Sequence, residues 1–164
     1  MKRLILYIVL LTAALGAAPL RTEAQNLEKS ILRYASDETV KSVFFERAMM
    51  LMMSEQAQQR GDCELAQLLK NIQFIRVLNF GARSEPGKEL ERSVKSDKAF
   101  QLVTATNADG QSARVYLRRA SRSEGSEGQK ELVVFTGNDA EHTVMHLYGT
   151  FDLRDVSRLT SIRP

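Results

Sequence analysis

Phe100-Gln-Leu-Val-Thr-Ala-Thr106 and Ser112-Ala-Arg-Val-Tyr-Leu-Arg-Arg119 stand on either side of Asn107-Ala108-Asp109-Gly110. Both runs have the period of two that an extended strand requires, and the four residues between them are a turn cluster, so the stretch predicts a β-hairpin. Glu131–Thr136 and Thr143–Tyr148 repeat the pattern around Gly137-Asn138-Asp139 and predict a second hairpin. The polar, Gly/Ser-rich Arg122–Gln129 between the hairpins reads as a loop. Upstream, Ile72-Gln-Phe-Ile-Arg-Val-Leu-Asn-Phe80 carries large hydrophobes on both faces, which marks a central strand. Val40–Phe45 reads as a shorter one.

Between and before these strands the period changes. Leu27, Ile31, Leu32 and Ala35 recur at helical spacing behind Asn26 as N-cap, giving a helix to about Ser36. Glu46–Glu55 is helical in pattern, Gln56–Arg60 is a polar stretch, and Gly61-Asp62 is a break and cap. Leu65, Leu68 and Leu69 form the apolar face of the next helix. Ser84 is placed to cap another, with Pro86 in its first turn, Leu90 and Val94 buried, and Glu91 with Lys95 as an i,i+4 pair on the outer side. Asp152 caps a short closing helix with Leu153, Val156 and Leu159 on one side. Helices gathered early and hairpins late predict an α+β fold: a single domain with a mostly antiparallel sheet, helices packed on one face, and β-hairpins in the C-terminal half. No Gly-rich phosphate loop and no internal repeat is present.

The N-terminus sets where the chain is expected to go. Lys2 and Arg3 precede the apolar run Leu4–Leu15, Pro19 follows, and Thr22-Glu23-Ala24 offers small side chains three and one residues before a cut at Gln25. This is the anatomy of a secretory signal peptide over residues 1–24, leaving 25–164 as the folded domain. Twelve apolar residues rise only ~18 Å as a helix, short of the ~30 Å hydrocarbon core, so no membrane span is expected after cleavage. The destination is the periplasm or the outer envelope.

Composition then narrows the function. Hydrophobic residues at 43% and charged residues at 26% exclude a wholly disordered chain. Residues 1–24 hold Lys2, Arg3 and Arg21 against Glu23, so of 23 basic and 20 acidic residues 20 and 19 remain. A balance of +1 gives no general attraction to nucleic acid. Cys63 is the single cysteine and has no internal partner for a disulfide. It reads as a half-buried small hydrophobe at a helix start, without a histidine nearby in sequence to activate it.

Three groups of residues carry candidate chemistry. Met49, Met50, Met52 and Met53 bring Met49 to Met53 at i+4 and Met50 to Met53 at i+3, and soft thioethers suit Cu(I). The same stripe beside Leu51 also describes a plastic core helix, so Met49, Met50 and Met53 are at most a speculative metal set. His142 and His146, the two histidines, lie on one strand face about 13 Å apart, too far to share an ion, and are expected at the rim. Arg114, Tyr116 and Arg118 share one face of their strand, with Arg119, Arg122 and Lys130 close by, and form the interaction face expected for an acidic surface or anionic head group. No nucleophile elbow appears, since Gly125-Ser126-Glu127-Gly128 has the wrong spacing, and no catalytic residue or cofactor is assigned.

Three stretches together are similar to a known family: Val40–Phe45 running into Ala48–Met53, Asp109-Gly110 leading to Val115-Tyr116, and Glu131–Phe135 with Leu147–Leu153. They resemble the domain of unknown function 4252 family, small exported proteins of Bacteroidetes-type bacteria, over roughly Asn26 to Leu159. The resemblance carries no activity and no agreed site residues. It implies a periplasmic or envelope location, and genes lying near those of sigma and anti-sigma factors, hence a role in envelope signalling. The expectation is therefore an exported, non-catalytic protein-interaction module with an envelope protein as partner and no nucleic acid. The alternative is a carrier of a small ligand or of copper. Oligomeric state is not encoded in any of these features.

Overall fold

The computed structural model describes residues 22–81, 84–108, 110–119, 128–138 and 141–154. Helix α1 spans Thr22–Ala35, strand β1 Lys41–Phe45, helices α2 Arg47–Gln59 and α3 Cys63–Asn71, and strand β2 Ile72–Asn79. Helix α4 (Ser84–Ser96) then leads to the strands β3 (Gln101–Ala108), β4 (Gln111–Arg119), β5 (Lys130–Gly137) and β6 (His142–Gly149). The six strands form one sheet in the order β1-β2-β6-β5-β4-β3, with every neighbouring pair antiparallel. The α+β class, the single antiparallel sheet and both C-terminal hairpins are those the sequence predicts. Strand β2 is interior, paired with β1 on one side and β6 on the other.

The placement of the helices differs from the expectation. Leu132 and Val134 of β5 belong to one hydrophobic core, and Val133 and Phe135 to another. Adjacent residues of a strand point to opposite faces, so the two cores lie on opposite sides of the sheet. Leu27 and Ile31 of α1 and Leu90 and Val94 of α4 close one core, while Met50 and Ala57 of α2 and Ala66, Leu68 and Leu69 of α3 close the other. Two helices therefore cover each face. The physical reason lies in the interior strands, whose hydrophobes occupy both faces and would leave one face wet under a single helical layer.

Local chemistry explains the helix boundaries. Helix α2 runs four residues beyond Glu55 because Ala57, one turn past Ser54 and two past Met50, continues its buried stripe through an otherwise polar segment. It stops at Gly61, whose φ of +82° is a conformation that glycine adopts without strain. Asp62 then caps α3, its carboxylate accepting from the Leu65 backbone N–H at 3.0 Å. Helix α1 begins at Thr22 rather than at Asn26. At the far end of the sheet a Cβ on Gly149 would come within 2.6 Å of the Asn71 carbonyl, so only glycine lets β6 approach the start of β2. Asp152 accepts from the Arg154 N–H as a cap should. The rest of that predicted helix, the Ser84 side chain, and the leader over residues 1–21 with its charged and apolar regions lie outside the described residues.

Candidate functional site

Arg114, Tyr116 and Arg118 do share a strand face, and that face is covered rather than open. The Tyr116 side chain is 3% exposed, edge-on to Phe135, and its hydroxyl donates to Glu91 Oε1 at 3.1 Å. Arg114 Nη1 donates to Glu91 Oε2 at 3.1 Å, and Lys95 Nζ reaches Glu91 Oε1 at the same distance. The Glu91–Lys95 pair is therefore present, but Glu91 faces the sheet instead of solvent and ties α4 to β4. Burial, followed by the Glu91 charge and hydrogen bond, pushes the Tyr116 phenol up to about 12. These residues belong to the helix–sheet junction, where Arg114 and Lys95 keep partly exposed side chains.

Arg118 leads into a second network. Its Nε and Nη2 donate to Glu131 Oε2 at 2.7 and 2.6 Å, and His146 Nε2 meets Glu131 Oε1 at 2.7 Å. Arg118 stands opposite Glu131 in the β4–β5 register, and His146 lies diagonally across on β6. Burial alone would raise the Glu131 carboxyl, but the His146 hydrogen bond and the Arg118 guanidinium outweigh it and hold the group below the usual carboxylate range. An ionised carboxylate only accepts, so His146 Nε2 carries a proton. His146 is 3% exposed, which corrects its expected place at the rim; its other nitrogen, Nδ1, is buried with no partner. His142 remains half-buried at the start of β6.

Arg76 of β2 stands opposite His146 in the β2–β6 register and is 7% exposed. Its guanidinium carbon lies 4.6 Å from the Phe44 ring centroid and 5.7 Å from that of Phe74, and Nη1 is buried with no partner. Burial lowers its pKa, opposed by the charge of Glu28 on α1. Removing a guanidinium from water without a paired anion costs several kcal/mol, whereas a ring contact returns about 0.5–2 kcal/mol. Phe74 lies edge-on to His146 at 5.1 Å and stacks on Tyr148 at 5.8 Å, so one aromatic ring is shared by both unsatisfied groups. Tyr148 donates to Gln129.

Residues 34–159 match the family described as Domain of unknown function (DUF4252). The chain belongs to this family. No curated protein and no solved structure matches it. The DUF4252 region includes every strand of the sheet and all of Arg76, Arg118, Glu131 and His146, and leaves out most of α1.

The remaining candidates of this DUF4252 chain are separated by the fold. Met50 is 1% exposed inside the α2/α3 core, Met53 packs against its edge, and Met49 turns outward. Among the described residues no group of three or more His, Cys, Asp or Glu is placed to hold a metal ion. Cys63 is exposed rather than half-buried, at the lip of a shallow cleft of about 510 Å³ bordered by Gln67, Asn71, Thr150 and Phe151. No helix among the described residues is long and apolar enough to cross a membrane.

Among the described residues, helices pack on both faces of the sheet, and no strand pairs with the outer edge of β1 or of β3. Strand β1 is short, begins with Lys41, and exposes Val43 and Phe44. Strand β3 is the other edge: Gln101 to Asn107 are exposed without a break, Leu102 at 54% and Val103 at 44%. Its eight residues include no charge and no proline. Among the described residues a bulge between Leu102 and Thr104 is the one protective device, and from Thr104 to Ala108 the pairing with β4 is regular.

Proposed function

We propose that the chain is an exported, non-catalytic protein-interaction module of the bacterial envelope, and that its partner adds an extended, uncharged strand to the free edge of β3. The observation that carries this reading is the exposed run Gln101–Asn107 on an outer strand. Such an edge presents a row of unpaired backbone donors and acceptors, which folded proteins normally guard with lysine, proline or a short strand. An incoming strand gains main-chain hydrogen bonds there, with Leu102 and Val103 as side-chain contacts. Export is supported by Lys2-Arg3, the Leu4–Leu15 run and the small residues before Gln25. The role in envelope signalling belongs to the same proposal and rests on the family resemblance. The covered position of Tyr116 points away from the arginine face as the contact surface, while on the methionine helix Met50 is buried and Met49, Leu51 and Met52 are exposed.

The test is cross-linked affinity capture of the tagged protein from the envelope of its host, comparing a Val103→Lys/Ala105→Lys variant with Val43→Lys. All three positions are exposed, so the fold is not at issue. The β3 variant is expected to lose capture of a stoichiometric partner at least tenfold while the β1 variant retains it. Loss in Val43→Lys with retention in the β3 variant contradicts the reading. The mass of the captured bait reads export at the same time, since processing before Gln25 sets its N-terminus.

A further inference from the structure

The buried charge at the β1 side of the sheet is incomplete. Arg118 and Glu131 neutralise one another. Arg76, nine-tenths buried, keeps its positive charge with no carboxylate paired to it among the described residues, and the ring contacts with Phe44 and Phe74 return only part of the cost. His146, more deeply buried still, is held through Nε2 by Glu131 and leaves Nδ1 without a partner. The two residues are opposite one another on adjacent strands, and Phe74 touches both. Arg76 Nη1 is a free donor, and His146 Nδ1, in the tautomer that donates from Nε2 to Glu131, is a free acceptor that can take up the proton of an incoming acid. A buried unpaired cation opposite a ring nitrogen that can take a proton matches a carboxylic acid, and Phe44, the most exposed of the surrounding rings, lies at the β1 edge.

We propose that Arg76 and His146 form a binding site for the carboxylate of a small organic acid, with Phe44, Phe74 and Tyr148 as the wall for its apolar body. A carboxylic acid that gives its proton to His146 Nδ1 leaves a planar carboxylate with one donor for each oxygen, Arg76 Nη1 and the new Nδ1–H, whereas a phosphate dianion would leave two oxygens against aromatic rings. The site lies on β2 and β6 with its rings on β1, β2 and β6, at the opposite edge from β3, so it stands or falls independently of the interaction reading.

Sodium octanoate and sodium acetate, against sodium chloride and sodium phosphate at equal ionic strength, are the probes, with melting temperature and the two histidine ring signals in NMR as readouts. Octanoate at a hundredfold excess over its Kd is expected to raise the melting temperature on the order of 5–10 °C and to bring up an Nδ1–H signal from His146. Acetate should act more weakly, lacking the apolar body. Arg76→Leu, which removes an unpaired buried charge, should fold at least as well as the parent and lose the octanoate response. His146→Gln should keep a hydrogen bond to Glu131 and bind octanoate at least tenfold more weakly. A flat response to both carboxylates overturns the proposal. So does an undiminished response in either variant, and so does a response to phosphate equal to that to octanoate.

Discussion

The two faces of this sheet are built from the same strands and have different interiors. On the α2/α3 face, Ile72, Ile75, Leu132 and Leu147 meet Met50, Leu68 and Leu69, and the buried polar side chain there, Ser54, donates to the Ala66 carbonyl at 2.7 Å. On the α1/α4 face, Leu78, Val133 and Val144 are flanked by Arg76, Glu131 and His146, all buried. The first face is apolar and its polar group satisfied, which is sufficient to hold a sheet against helices. The second gives up apolar contact along part of its length to a charged network that stability alone does not demand, since apolar side chains of similar size serve as well. What the faces have in common matters equally. Both carry helices among the described residues, and the proposed interface is therefore placed at an edge.

The sharpest test of that comparison uses neighbours in sequence that face opposite ways. Glu131→Ala leaves Arg118 and His146 buried without their carboxylate and should cost about 3–5 kcal/mol in chemical denaturation. Leu132→Ala opens a cavity in the other core and should cost about 2–5 kcal/mol. Replacing Arg118, Glu131 and His146 together by apolar residues of similar volume should return stability to near the parent value, whereas no second substitution rescues Leu132→Ala so simply. If the triple replacement is as damaging as Glu131→Ala, the network is structural and the contrast between the faces is lost.

Acid separates the faces by a smaller effect. The Glu131 carboxyl is held below the usual carboxylate range in the folded state, so its contribution is present above the pKa of the unfolded chain and fades as pH falls through the folded value. Glu131→Gln should therefore flatten the acid limb of stability against pH, while Leu132→Ala should shift the curve down without changing its slope. Equal acid slopes in the parent and Glu131→Gln would show that the carboxylate carries no such linkage.

The smallest effect lies where α4 meets β4. Tyr116, raised to about 12 from an ordinary value near 10, favours the protonated phenol in the folded state. Its contribution is complete below about pH 10 and lost as pH rises from there toward 12. Tyr116→Phe should cost about 1 kcal/mol near neutrality and remove the alkaline destabilisation in that window. Phenolate absorbance measured beside unfolding would contradict this if every tyrosine titrated together near 10.

Much of the fold was legible because its determinants are local. The period of two in Ser112–Arg119, the break and cap at Gly61-Asp62, and the stripe of Leu90 and Val94 each act within a few residues, and each element formed where those signals lie. The second helical face has a signal in the same letters, since Ile72–Phe80 carries hydrophobes on both sides, whereas the gathering of helices before the hairpins predicts a single helical layer. The charged network was not legible. Glu131 and His146 are fifteen residues apart and become diagonal neighbours only through the β5–β6 register. Arg76 reads as a surface residue until β6 lies on one side and Phe44 on the other. The burial of His146 did have a signal, because it alternates with Val144 and Tyr148 on one strand face, and Val144 is core. Arg114, Tyr116 and Arg118 share a face of β4, as their alternate spacing implies, and what covers that face depends on Glu91, a contact over 23 residues that no spacing rule reports.

The central functional claim is that a partner strand lies against β3, and a photo-reactive benzoylphenylalanine placed in the full chain at Ala105, or in a second strain at Val43, tests it in the living host. The account predicts a discrete cross-linked adduct from position 105 on illumination and none from position 43. Adducts from position 43 with none from position 105 would contradict it and move the interface to the β1 edge.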